Sequence, residues 1–255
     1  MKPCRCVAAL GPLLAVFAAT ATSAADLPAP ARSYYPPVAI PANYDWTGFY
    51  IGGQVGAGLL ADTITQASAT GLTVLSGNTV LSPVGLIGGA QAGVNYQFGG
   101  FVVGAEGTWN WTNLTGSGTV PTTAGTLERA TSAPHWFASA AGRFGYAGNA
   151  WLPYVKAGGA WMNVDYTQDI ITGGVVSSSQ LVNANRAGFV AGAGIEYGLT
   201  EHFSAKLEYD FYGFGSSTYK GFAQTPVTIR SDLHTLIFAL DYRFTWPGGG
   251  TVFAK

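Results

Sequence analysis

Apolar and polar residues alternate with period two along most of this chain. That is the pattern of β-strands, whose successive side chains point to opposite faces. In WTGFYIGGQVGAGLL (46–60), Phe49, Ile51, Val55 and Leu59 share one face, with Tyr50, Gln54 and several glycines on the other. LIGGAQAGVNYQF (86–98) sets Leu86, Ala90, Ala92, Val94, Tyr96 and Phe98 against Gln91, Asn95 and Gln97. FVVGAEGTWNW (101–111) sets Phe101, Val103, Ala105, Trp109 and Trp111 against Glu106, Thr108 and Asn110. APHWFASAAGRFGYA (133–147) opposes Trp136, Ala138, Ala140, Phe144 and Tyr146 to His135, Ser139 and Arg143. WLPYVKAGGAWMNVDY (151–166) is less regular: Trp151, Val155, Ala157 and Trp161 oppose Lys156, whose face also carries Tyr154 and Met162. NRAGFVAGAGIEYGLT (185–200) opposes Ala187, Phe189, Ala191, Ala193, Ile195 and Tyr197 to Arg186 and Glu196. SAKLEYDFYGFG (204–215) opposes Ala205, Leu207, Tyr209 and Phe211 to Lys206, Glu208 and Asp210. LHTLIFALDYRF (233–244) opposes Leu236, Phe238, Leu240, Tyr242 and Phe244 to Thr235, Asp241 and Arg243.

These are eight strands, and the connections between them alternate in length. Gly99-Gly100, the Gly148-Asn149 turn and Thr200-Glu201 are tight hairpin turns. The connections near 61–85, 116–132, 167–184 and 216–230 are long and rich in Gly, Ser and Thr. Short turns alternating with long loops are the asymmetry of an outer-membrane barrel, with the short turns on the periplasmic side. An even strand number puts both barrel ends, near Trp46 and Phe244, on the short-turn side. The expected fold is all-β, an eight-stranded antiparallel up-and-down transmembrane barrel over residues 46–244.

The aromatics give an independent check. One set clusters beside the short turns: Trp46, Phe49, Tyr96, Phe98, Phe101, Phe144, Tyr146, Trp151, Tyr197, Phe203, Tyr242 and Phe244. A second, Trp109, Trp111, Trp136, Trp161 and Phe211, lies eight to ten residues away along the strands. At ~3.3 Å per residue and ~40° tilt, the two sets stand roughly 20–25 Å apart, the height of a lipid-facing apolar band. A soluble sandwich or lipocalin-like barrel needs no such pair of belts.

Composition agrees. Only 10% of the 255 residues are charged, 13% are aromatic and 36 are Gly. Mean hydropathy is +0.22. A soluble domain carries about a quarter charged residues, yet no segment after the leader approaches the ~20 apolar residues of a spanning helix. Residues 1–24 read as a secretory signal peptide: Lys2 and Arg5, the apolar run 7–19, then small residues, with cleavage after Ala24 or alternatively Ala25. Cys4 and Cys6 leave with it, so disulfides and thiolate sites are excluded from the mature chain. Loss of Lys2 and Arg5 takes the 12 basic residues to 10 against 13 acidic ones, a net charge of about −3. That is no nucleic-acid footprint. Residues 25–45, with five prolines, read as an extended periplasmic linker, and 245–255 as a C-terminal tail.

YDWTGFYIGGQVGAG, SAKLEYDFYGFG and LIFALDYRF resemble the opening and closing strands of small porin-like outer-membrane barrels, the "outer membrane immunogenic" type with an OmpA-like transmembrane fold. The ADLPAP start after the signal is similar too. The resemblance spans nearly the whole mature chain and identifies a fold rather than one activity. It implies location in the Gram-negative outer membrane, insertion by the barrel-assembly machinery, and contact with outer-membrane lipids and lipopolysaccharide. One departure is that the aromatic-x-aromatic ending Tyr242-Arg243-Phe244 is internal, followed by TWPGGGTVFAK.

An eight-stranded barrel has an interior just wide enough for side chains. The inward face carries Glu106, Arg143, Lys156, Glu196, Lys206, Glu208, Asp210, Asp241 and Arg243, four basic and five acidic residues. Most lie three to six residues from the short turns, so they can share one layer and pair across the lumen. Buried charge is tolerable only when paired and hydrogen-bonded. The leading reading is a polar, largely plugged lumen with a structural role in the envelope. A narrow porin-like path for ions or small solutes is the alternative, and a surface adhesin acting through the four long loops is a second.

Catalysis, cofactors and metals are not expected. His135 and His234 start strands on opposite sides of the ring, His135 facing in and His234 out by parity, and His202 lies at a short turn. GGQVGAG and GAGIEYG lie inside strands, where no phosphate loop sits. Asp165 and Asp169 offer only two acids for a lipopolysaccharide-bridging cation.

Overall fold

The alternation closes into a ring. In the computed structural model, which describes residues 44–66, 79–121, 126–220 and 226–244, ten strands run in chain order. They are β1 (Gly48–Gln66), β2 (Thr79–Leu81), β3 (Val84–Phe98), β4 (Phe101–Thr112), β5 (Gly116–Pro121), β6 (Leu127–Tyr146), β7 (Trp151–Thr172), β8 (Val175–Gly198), β9 (Phe203–Lys220) and β10 (Pro226–Phe244). The leader, residues 25–43 of the linker and the 245–255 tail lie outside the described residues.

Every long strand pairs antiparallel with its neighbours in the order β10-β9-β8-β7-β6-β4-β3-β1, and β1 closes the ring on β10 from Phe49↔Phe244 onward. The short β2 and β5 extend the wall on β1 and β6. The result is an eight-stave barrel. Closure removes the open edges that a flat sheet of these Val-, Tyr- and Ala-rich strands would expose.

Burial along the strands follows the alternation with the usual sense inverted. Leu207, Phe238, Val155 and Phe101 stand about half exposed on the outside, while Lys206, Glu208, Asp241 and Arg243 are buried inside. Outward aromatics stack beside the short turns, as in Phe101–Phe144 and Trp151–Tyr197. A second set stacks farther up the wall, as in Trp109–Trp136 and Phe189–Phe211. Trp46 departs from the belt assigned to it. It is wholly buried inside the short-turn mouth, because it shares the inward phase of Tyr50, and Arg243 holds its carbonyl. Tyr44, placed by its sequence in the linker, is buried beside it.

Among the described residues, the connections at the far end are largely strand rather than the loop their composition suggests. β7 and β8 continue to Thr172 and Val175, joined by Gly173-Gly174, both at positive φ (60° and 83°). Positive φ at both central residues is the hairpin-turn geometry that glycine supplies. The Thr-, Ser- and Val-rich segments 167–172, 175–184, 216–220 and 226–230 are all strand. β-branched residues without interrupting prolines simply continue the ladder. The wall therefore rises well past the upper aromatics as projecting hairpins.

Candidate functional site

The lumen is filled in layers. At the short-turn mouth Tyr44, Trp46, Val102, Leu152 and Tyr154 pack together. Arg243 lies against the rings of Trp46 (5.0 Å) and Tyr44 (5.5 Å) and donates to the Trp46 carbonyl at 2.5 Å.

The charged layer sits directly above, and strand parity from six staves delivers it. Glu106 on β4 is its hub. It accepts from Tyr50 Oη (2.7 Å), Lys206 Nζ (2.8 Å) and Arg143 Nη1 (3.3 Å), with Lys156 Nζ at 3.5 Å. Lys156 on β7 also reaches Glu208 (2.7 Å) and Asp210 (2.8 Å) on β9, and Tyr154 donates to Glu208. Glu196 on β8 is held between Arg143 (2.8 Å) and Arg243 (3.2 Å) and accepts from Ser204 at 2.6 Å. Arg143 lies over the Tyr154 ring at 3.9 Å. A Cβ at Gly192 would land on the Asp210 carboxylate directly opposite it in register, so the bare backbone there makes room for the charge.

Glu106, Arg143, Lys156, Glu196, Lys206, Glu208, Asp210 and Arg243 are thus joined by ion pairs. Asp241 stands apart. It is fully buried, accepts from Gln91 at 2.5 Å, and has no basic partner within 4.0 Å among the described residues.

Above the charges the lumen is crossed by an apolar layer that the sequence reading did not anticipate. Leu60, Ile87, Leu114, Phe137, Met162, Tyr212, Leu233 and Ile237 form an apolar layer across it, with Phe137 edge-on to Tyr212 at 5.2 Å. Tyr212 Oη reaches Asp210 at 3.1 Å and ties this layer to the charges. The sequence carried a signal for it in adjacent large apolar pairs, Trp136-Phe137, Trp161-Met162 and Leu236-Ile237, which must fill both faces of their strands.

A second polar cluster, absent from the sequence reading, lies above the apolar layer. Arg186 donates to Tyr166 Oη and Ser231 Oγ (both 3.1 Å), and Ser231 in turn donates to Asp62. Arg186 carried a lumen-facing parity; Asp62 lay in a stretch read as loop.

The histidines do not converge. His135, expected to face inward, is exposed and pairs with Asp165 at 2.8 Å. A β-bulge between Pro134 and Trp136 flips the strand phase at that point. His234 bonds Tyr209 on the outer wall. Asp165 and Asp169 are engaged by Asn183 and Ser179, and no metal-ligand cluster occurs among the described residues.

The comparisons with known proteins agree with this geometry. The family model for the outer membrane protein beta-barrel domain matches residues 13–244. The 31 kDa outer-membrane immunogenic protein of Brucella melitensis is 27% identical over 236 residues, covering 91% of this chain and 97% of that protein. The 25 kDa outer-membrane immunogenic protein of Brucella abortus is 28% identical over 251 residues, covering 96% and 100%. Among solved structures, the outer membrane protein OprG of Pseudomonas aeruginosa superposes with a TM-score of 0.51 at 16% identity, over 81% of this chain and all of that one, a likeness of fold. The chain belongs to the outer membrane protein beta-barrel domain family, and it is an outer-membrane protein.

Proposed function

We propose that this member of the outer-membrane beta-barrel family is a closed structural element of the envelope, its lumen blocked rather than conducting. One observation carries the reading: a layer of buried, mutually paired charges lies directly beneath an apolar layer that spans the same interior. Opening a path means separating these pairs. Stranding one partner of a buried ion pair costs about 3–5 kcal/mol, and Glu106, Glu196 and Glu208 each belong to more than one pair here. Its role is architectural, without catalysis, with lipid and lipopolysaccharide against the outer wall and insertion through the barrel-assembly machinery.

Planar-bilayer recording of refolded protein with a size series of solutes tests this. Little or no steady conductance is the expected result; stable, large channels overturn it.

A second reading, surface recognition, is supported by the β7–β8 hairpin. Residues 175–179 are exposed on both faces of their strand and stand clear of the wall. Two relatives bear the word immunogenic in their names, which suits displayed hairpins. Shortening this hairpin to a Gly-Gly turn between Gln168 and Gln180, which face each other in register, spares Tyr166 and Val182 and should leave folding intact while abolishing any adhesion measured with whole cells.

A further inference from the structure

The wall is unzipped between the upper parts of β8 and β9. β8 and β9 pair from Gly198↔Ser204 up to Phe189↔Gly213 and no farther, although both strands continue to Val175 and Lys220. Among the described residues, 183–188 of β8 have no ladder partner in 214–219 of β9.

The cause is local. Between Arg230↔Ser216 and Asp232↔Gly213 the β9–β10 register shifts by one, so Phe214 and Gly215 together face Ser231 in a β-bulge. Gly215 sits at φ 63°, a left-handed conformation that turns the strand. One side chain reaches three carbonyls around this bulge. Arg186 Nη2 donates to Gly215 O (2.7 Å), Ile229 O (3.1 Å) and Phe214 O (3.3 Å). Above this staple, Gln180 Nε2 donates to Lys220 O (3.1 Å) across the two strands.

Behind the seam lies a cavity of about 50 Å³, measured as room for water centres. Its apolar walls are Ile64, Val182, Val227, Ile229 and the facing rings of Tyr166 and Tyr219, 5.8 Å apart, while Gln168 and Gln180 also line it, their amide nitrogens held by Glu128 and the Lys220 carbonyl. A water needs roughly 10–15 Å³ on that measure and two to four polar partners. The space would take about three to five waters, but its exposed lining is mostly apolar. Tyr166 Oη, near the floor, is already held by Arg186 and Ser231. Poorly hydrated apolar cavities with an opening favour apolar guests. The floor is closed by the Arg186–Ser231–Asp62 cluster and, below it, by Phe137 and Met162.

We propose that this outer chamber binds one small uncharged apolar molecule, the size of a six-membered ring with at most one hydroxyl, as a dead-end site. It goes beyond the structural role and does not depend on it.

Isoleucine methyls provide reporters for the test. Ile64 and Ile229 line the cavity, Ile87 and Ile237 belong to the apolar layer below, and Ile51 and Ile195 face outward into lipid. Methyl-labelled barrel in lipid nanodiscs is titrated with phenol and with cyclohexanol, with glycerol as the polar control. The expected result is saturable shifts at Ile64 and Ile229 with both rings and none with glycerol. The Val182→Trp variant fills the space and should lose them; Ile229→Phe, read at Ile64, serves if the first fails to fold. Shifts that rise linearly and equally at Ile51 and Ile195 would mean partitioning into lipid alone and overturn the site, as would no shift at all. Saturable shifts reaching Ile87 and Ile237 would overturn the dead end, and bilayer conductance would then be measured separately to judge the blocked lumen.

Discussion

Glu196 is where the charged layer can be tested most sharply. Glu196→Gln keeps the side-chain volume and removes one charge. Arg143 retains Glu106 at 3.3 Å and its stacking on Tyr154. Arg243 is left with the Trp46 carbonyl and aromatic rings, and with no carboxylate in reach, because Glu196 is its one ion-pair partner among the described residues. Stranding a buried charge costs about 3–5 kcal/mol. The glutamine oxygen still accepts one hydrogen bond, so the lower end applies, about 3 kcal/mol or about a hundredfold in the unfolding equilibrium. Urea unfolding in lipid vesicles reads it out, followed by tryptophan fluorescence and by heat-dependent gel mobility. Adding Arg243→Met should recover at least half the loss, because it removes the stranded cation. Asp241→Asn is the counterpart: the same charge change at a buried acid with no basic partner should be neutral or stabilising. A loss below about 1 kcal/mol in Glu196→Gln, or equal losses in Glu196→Gln and Asp241→Asn, would refute the idea that specific pairing holds this layer.

The outer wall makes a simpler prediction. Leu207→Arg puts a charge on the lipid face and should cost about 2–4 kcal/mol in the same assay; unimpaired folding would reverse the assigned orientation. Gly192→Val crowds the Asp210 carboxylate and should lower stability far more than Ala191→Val, its outward neighbour. Arg186→Met removes the staple across the seam and should speed amide exchange in 213–216 and 229–231, with no change near the Gly99-Gly100 turn. Glu128, eight residues beyond Trp136 and outside the membrane span, is pushed up to about 7 by burial. The fold therefore favours its protonated form. Stability is greatest below the ordinary carboxyl value of 4.5, falls as pH rises through the window to about 7, and is flat above it. Glu128→Gln should accordingly gain in melting temperature over the parent between pH 4 and pH 8, and a pH-independent difference would contradict this.

Period-two alternation is a strong signal because it depends on backbone geometry alone. One phase assignment per strand then places every residue of that strand inside or outside. That is why Lys206, Glu208 and Asp210 could be assigned inward from SAKLEYDFYGFG without any knowledge of their partners. The readings fail where the phase itself changes. His135 turned outward at the Pro134–Trp136 bulge. A bulge inserts one residue without a distinctive composition, so counting continues past it in the wrong phase. Alternation also says which face a residue takes and nothing about its height, so Phe137 and Met162 could be placed inside but not recognised as one layer. The same limit hid the seam. β8 and β9 are equally strand-like on both sides of Gly213, and only their pairing stops. Pairing is a property of two strands together, fixed here by one glycine at positive φ and one arginine that reaches three carbonyls around the bulge. The barrel was therefore legible from single strands, whereas the opening in its wall depends on a relation between strands that no single-strand pattern contains.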